Sequence, residues 1–154
     1  MIPLFLTLNI KLKSLKEPTE NSDGLRILIS RYRPRYLPKE KENWDHWWKE
    51  LAPSKNLWQA YIKDKKIDWP EYKRQYIKEI KSNLESVKLL RILSSYVNSN
   101  DDGDRKMHNN MQGLEEKNNY VLIHGYNDIT FLCYCKDENY CHRSIIKEMI
   151  LSGL

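Results

Sequence analysis

The stretch "ITFLCYCKDENYCHRSIIKEMI", Ile129 to Ile150, decides how the rest of the chain is read. Its first part, Ile129 to Cys135, is nearly all apolar, the pattern of a central strand buried on both faces. From about Cys141, "CHRSIIKEMILSG" sets Ile145, Ile146, Met149 and Ile150 on one side of an amphipathic helix that faces a sheet. The polar "KDENY" between them is a loop. In a parallel sheet this order puts the loop at the carboxyl edge of a central strand, beside a helix N-terminus with unpaired N–H groups and partial positive charge. Such a turn favours anions.

Upstream, Leu4, Leu6, Leu8, Ile10 and Leu12 alternate with Thr7, Asn9 and Lys11, a period of two that predicts a strand with one buried face. "KEPTENSDG", Lys16 to Gly24, is loop chemistry and leads into "LRILIS", Leu25 to Ser30, a short buried strand. The basic "RYRPRYLPKEKEN" that follows is broken by Pro34 and Pro38 and does not suit regular structure. A helix is expected from about Lys39, where Trp44, Trp47, Trp48 and Leu51 fall at i, i+3, i+4 and i+7. Pro53-Ser54 ends it, and Ser54 caps a short helix through Leu57, Trp58 and Tyr61. Trp69-Pro70 opens a further helix with Tyr72, Tyr76, Ile77 and Ile80 on its apolar side, and Leu84 to Tyr96 continues in the same style. Residues 97–119, rich in Asn, Asp and Gly, read as an exposed or disordered insertion loop, and "YVLIHG" after it as a short strand. Strands separated by helical segments make this an α/β protein: a single-domain sandwich over residues 1–154, with a mostly parallel, Rossmann-like central sheet and a helical middle.

Composition bounds the function. A chain of 154 residues has room for one substantial core, and 40% hydrophobic residues with five tryptophans and ten tyrosines exclude a disordered chain. The first residues lack the basic start and small-residue cleavage site of a signal peptide, and no run reaches the ~18 to 20 apolar residues that span a bilayer. An odd number of cysteines in one cluster argues against a secreted disulfide framework, so the expected place is the cytoplasm, with reduced thiols and no membrane partner. The net charge of +5 suits an anionic partner: a phosphorylated small molecule, a nucleotide or a nucleic acid.

All three cysteines lie between Cys133 and Cys141, and the last is followed by His142 and Arg143. Arg143 offers a planar cationic fork suited to phosphate or carboxylate. Cys141, at the helix start and two residues from Arg143, is the thiol expected to be reactive, and His142 its proton partner. One chemistry is therefore an anion pocket of Cys141, His142 and Arg143, joined by Arg31, Arg33 or Arg35 from the loop after Ser30. A second is a nucleophilic cysteine in the manner of tyrosine phosphatases, but their Cys, five residues, Arg spacing is not met by Cys135 or Cys141. A third is a Cys3His zinc shell, against which Cys133 and Cys135 stand one residue apart on a strand, unlike a finger. Against all three, Cys133 and Cys135 taken alone read better as small core residues. The Trp44, Trp47, Trp48 stripe suits core packing better than base stacking, and "SRYRPRYLPK" is either a phosphate grip or a solvated loop. His46, His108 and His124 have no companion at ligand spacing.

With both loops in view, the chain resembles the family known as domain of unknown function 488. "DGLRILISRYRPRYLPKEKENWDHWWKELAPSKNLWQAYI" is similar to that family's first half, and "ITFLCYCKDENYCHRSIIKE" to its second, together covering most of Asp23 to Glu148. The resemblance implies an α/β domain in which Arg31, Pro34 and Arg35 from one loop, with Cys133, Cys141, His142 and Arg143 from the other, hold the family's recurrent positions. It implies no reaction or cofactor. The chain departs from the family in carrying Ser30 where an Asp is usual, and Arg33 and Tyr36 where Trp and Gly are frequent. Two functions follow as expectations: an anion site at the CHR turn serving a cysteine-dependent enzyme, or a nucleic-acid-binding module without catalysis.

Overall fold

The structure, a computed structural model, describes residues 8–98 and 126–153. Its strands are β1 (Asn9–Ser14), β2 (Leu25–Leu28), β3 (His46–Trp47) and β4 (Asp128–Cys133). Its helices are α1 (Lys55–Trp58), α2 (Trp69–Ser82), α3 (Leu84–Asn98) and α4 (His142–Ser152). The strands form one four-stranded parallel sheet in the order β1-β4-β2-β3. The fold is thus α/β with a parallel sheet, as the alternation of elements predicts. Phe131 of β4 stands between Leu12 of β1 and Ile27 of β2, so the apolar run from Ile129 is the buried inner strand.

Alternation decides which face each side chain meets. Ile10, Ile27, Ile129 and Phe131 turn to the larger core, where Tyr72, Tyr76 and Ile80 of α2, Leu89, Leu90 and Leu93 of α3, and Ile145, Ile146 and Ile150 of α4 cover them. Burying each such side chain stabilises the fold by ~1.5–3 kcal/mol. Leu28 and Leu132 point the other way and are covered, with Leu15, by Trp44, Trp47 and Tyr134. Leu8, Ile10 and Leu12 all pack into the larger core, as their spacing requires, while Leu4 and Leu6 lie outside the described residues. So do most of the 97–119 segment and all of "YVLIHG"; Val97 and Asn98 close α3. No described helix is long and apolar enough to cross a membrane.

The helix expected from Lys39 is corrected. That segment holds 3-10 turns at Lys39–Lys41 and Lys49–Leu51, with β3 between them. Trp47 lies opposite Leu28 in the parallel pair and donates its indole N–H to the Ser30 carbonyl at 2.7 Å. Trp48 enters the larger core while Trp44 and Trp47 cover the opposite face of the sheet. Neighbouring residues on opposite faces are the signature of extended backbone, and a helical stripe would have put all three indoles on one side.

The other helices start where the sequence says. Ser54 caps α1, accepting from the Leu57 N–H at 3.2 Å, and a π turn (Gln59–Lys63) carries the chain on past Tyr61. Asp68 caps α2, accepting from the Glu71 N–H at 3.0 Å.

A buried ionic cluster ties the strand starts together. Asp23, 1% exposed, pairs with Lys13 of β1 at 2.7 Å and with Arg26 of β2, and it accepts from the Glu20 N–H at 3.0 Å. Its own carbonyl accepts from the Thr130 hydroxyl of β4 at 2.7 Å. Gly24 follows with φ +63°, and its backbone lies against β4 so closely that a Cβ there would sit 2.1 Å from the Asp128 carbonyl oxygen.

Candidate functional site

Three sulfurs meet at the carboxyl end of β4. Cys133 is the last residue of that strand, and Cys135 lies two residues on, past a bend at Tyr134. The chain then makes a 3-10 turn at Glu138–Tyr140, in which the Asp137 carboxylate accepts from the Asn139 N–H at 2.9 Å, and returns to place Cys141 as the N-cap of α4. The Cys141 side chain makes no capping bond, which leaves its sulfur to the other thiols. The Cys133 and Cys135 sulfurs are 3.8 Å apart, and all three lie within 4.8 Å of one another. All three thiols are free.

His142 and Arg143 attend the Cys141 sulfur. Arg143 is 1% exposed; its Nε–H donates to Cys141 Sγ at 3.3 Å and its Nη2 to the Cys135 carbonyl at 2.9 Å. His142 Nε2 lies 2.7 Å from the Ile29 carbonyl oxygen, just beyond β2. A carbonyl can only accept, so Nε2 carries a hydrogen and Nδ1 is the ring nitrogen left to exchange a proton with Cys141. That Nδ1 faces Cys141 Sγ at 3.6 Å. The edge of Tyr76, itself fixed by donating to the Leu51 carbonyl at 2.6 Å, packs on the imidazole at 5.5 Å between ring centroids.

The three thiols divide their protons unequally. Hydrogen bonds from Cys133 and then Cys135 pull the Cys141 thiol down, burial opposes them, and the His142 charge and hydrogen bond assist; the outcome lies well below the ordinary thiol value. Cys133 is pushed well above it by its hydrogen bonds with Cys135 and Cys141 and by burial. At Cys135 the bond with Cys133 lowers the pKa, while the bond with Cys141 and burial raise it, leaving it at about 12. The two thiols and the guanidinium around it thus favour negative charge on Cys141 over the other two sulfurs.

The thiols open to a cavity walled by Ser30, Arg31, Pro53, Trp58, Tyr61, Tyr72, Tyr134 and Tyr140. Its volume, about 20 Å³, admits a group about the size of a water molecule. Next to it, sharing Trp58 and Tyr134, runs a groove of about 690 Å³ lined by Tyr32, Arg33, Pro34, Arg35, Tyr36, Lys55, Gln59 and Lys63.

The residues singled out in the sequence fall into three places. Cys133, Cys141, His142 and Arg143 are in direct or near contact at the sulfur cluster. Arg31 lines the cavity, donating through Nη1 to the Pro53 carbonyl at 3.3 Å. Arg35, exposed, and Pro34, buried, belong to the wider groove, where Arg33 pairs with Glu42. Among the described residues the cysteines are the one converging group of three or more metal-type side chains, and His142 is not part of it. The Ile29 carbonyl, Tyr61, Tyr72 and Trp58 were not visible as site residues: a backbone acceptor leaves no trace in sequence, and an aromatic residue at helical spacing reads as core.

Comparison with known proteins locates this site in a family. The family described as the "Active DUF488-N3 subclade" matches residues 10–102 and 104–153, which includes every residue of the sulfur cluster. The chain is also 35% identical over 83 residues to "Uncharacterized protein YeaO" of Escherichia coli (strain K12), covering 54% of this chain and 71% of that protein. No solved structure matches significantly.

Proposed function

The chain belongs to the DUF488-N3 family, in the subclade described as active, and on that premise we propose that it is a cysteine-dependent enzyme acting on a phosphorylated small molecule or nucleotide. One observation carries the proposal: His142 Nδ1 is held toward Cys141 Sγ, because Nε2–H is spent on the Ile29 carbonyl. Nucleophile, base and a third group that orients the base form the usual logic of an activated cysteine. Arg143 acts on the sulfur in this scheme, and Arg31 and Arg35 meet the anionic part of the substrate. Pro34 and Cys133 support them, the one by shaping the groove, the other as a thiol donor to the sulfur.

The proposed step is substitution at the substrate's electrophilic centre. His142 holds the proton that Cys141 gives up. The sulfur's electron pair forms the new bond as the bond to the leaving group breaks, and the leaving group departs with its electron pair and takes the proton from His142. Water then cleaves the covalent intermediate, restoring the thiol and releasing the hydroxylated product. The small cavity limits what reaches sulfur to the reacting group, while the body of the substrate lies in the wider groove.

The test combines spectroscopy with assay. The wild type should show ultraviolet thiolate absorbance at neutral pH that Cys141→Ser removes. Inorganic phosphate or a nucleotide should raise the melting temperature, and a panel of phosphorylated compounds should yield a turnover that the variant loses. A wild type with no thiolate band sinks the proposal.

A second reading is favoured by one observation, the exposed Tyr36 and Arg35 sharing the groove with Lys55 and Lys63: a non-catalytic nucleic-acid-binding module. It predicts oligonucleotide binding that falls steeply with salt and survives Cys141→Ser.

A further inference from the structure

A nucleophilic cysteine needs one thiol, yet two more stand within 4.8 Å of it. We propose that Cys141 and Cys135 are a redox pair: a hydroperoxide oxidises the Cys141 sulfur, and Cys135 resolves the product into an intramolecular disulfide. The proposal rests on Cys141 being the nucleophile and adds how that site is switched off.

Geometry selects the partner. Cys133 is locked in the sheet, opposite Ser14 in the β1 register, with its carbonyl accepting from the Leu15 N–H at 3.0 Å. Cys135 lies past the end of β4, is only half-buried, and is held at its carbonyl by Arg143. A disulfide needs sulfurs about 2.05 Å apart, so one side chain must move, and the one outside the strand is free to do so. A bond between Cys133 and Cys135 themselves is disfavoured. Cys133 stays fixed in the β4 ladder, and joining it to Cys135 would leave the oxidised Cys141 sulfur unresolved. The cavity over the sulfurs admits the terminal oxygen of a hydroperoxide and little more.

The chemistry balances. The Cys141 thiolate attacks the terminal oxygen of the hydroperoxide; the S–O bond forms as the O–O bond breaks, and the departing alkoxide or hydroxide takes the proton held by His142. Cys141 is now a sulfenic acid. The Cys135 sulfur attacks it, the S–S bond forms as the S–O bond breaks, and water leaves with the Cys135 proton. Two thiols have lost two electrons and two protons, and the peroxide has become alcohol and water. A small dithiol reverses the change by thiol–disulfide exchange and is itself oxidised to its disulfide.

The reduced protein is treated with hydrogen peroxide, quenched, digested and mapped by mass spectrometry. The wild type and Cys133→Ser should both yield a Cys135–Cys141 crosslink that dithiothreitol removes. Cys135→Ser should instead accumulate a sulfenic acid on Cys141 that dimedone traps. A crosslink through Cys133, or as much dimedone adduct in the wild type as in Cys135→Ser, overturns the pair. The thiolate band separates the two proposals: band present without crosslink sinks the redox pair alone, and band absent sinks both.

Discussion

Arg143 is a buried cation whose Nε and Nη2 are committed inside the protein, one to a sulfur and one to the backbone of Cys135. Losing hydrogen bonds that involve a charged group costs roughly 1.5–3 kcal/mol each, the more so when an acceptor is left buried and unmatched. Arg143→Met, which keeps length and removes the fork, should lower the melting temperature by several degrees and weaken the thiolate absorbance. Arg143→Lys should restore a charge without the planar geometry and fall between the two. An Arg143→Met protein with undiminished thiolate absorbance would show that the guanidinium does not act on the sulfur. The Cys-His-Arg run at a helix start was readable as a site because neither His nor Arg belongs in an apolar core. Its third partner was not, since the Ile29 carbonyl reaches His142 only through the strand order.

The elements differ in how plainly the chain announces them. β1 and β4 are long enough for alternation or continuous apolarity to show, and α2 carries an aspartate cap and a proline in its first turn. β3 has only two residues, and Trp44, Trp47 and Trp48 in and around it fit i, i+3 and i+4 as well as they fit an extended segment, so periodicity over so short a run misassigns it. What settles it is the pairing with β2, a tertiary fact. The turn into β2 offers a sharper test. Gly24 combines a positive φ with backbone contact to Asp128, so an added methyl meets both strain and collision. Gly24→Ala should destabilise the protein by several kcal/mol, read as a shift in the urea midpoint. An unchanged midpoint would mean that β4 is not seated against this turn.

At the scale of the whole molecule, the ionic cluster at Asp23 joins β1, the loop after it, β2 and β4. Burial pushes the Asp23 carboxyl up, but the Lys13 hydrogen bond, the Glu20 N–H and the charges of Arg26 and Lys13 outweigh it, and the group ends below its usual range. A depressed carboxyl contributes stability that is complete above the unfolded value, near 4, and is lost as pH falls through the folded value. Acid unfolding of the wild type should therefore steepen below about pH 4. Asp23→Asn should be less stable at neutral pH by about 3–5 kcal/mol, because the buried Arg26 loses its counter-ion while Lys13 keeps only Glu20. Its stability should then depend less on pH in the acid range, and urea titrations at pH 7 and pH 3.5 measure both effects. A variant that keeps the wild-type acid profile would exclude Asp23 as its source.

The strand order β1-β4-β2 carries a consequence for the making of the protein. β4 is the last of the described strands in sequence and is inserted between two that precede it, so the sheet cannot close until the chain through β4 is available. Pairing over such a sequence separation makes assembly slow relative to local structure. The His142 ring is aimed by a carbonyl beyond β2, and the sulfur it faces caps a helix beyond β4. Until β4 is seated between β1 and β2, Cys133, Cys135 and Cys141 are three ordinary thiols, and the reactivity proposed for Cys141 belongs to the folded sheet alone.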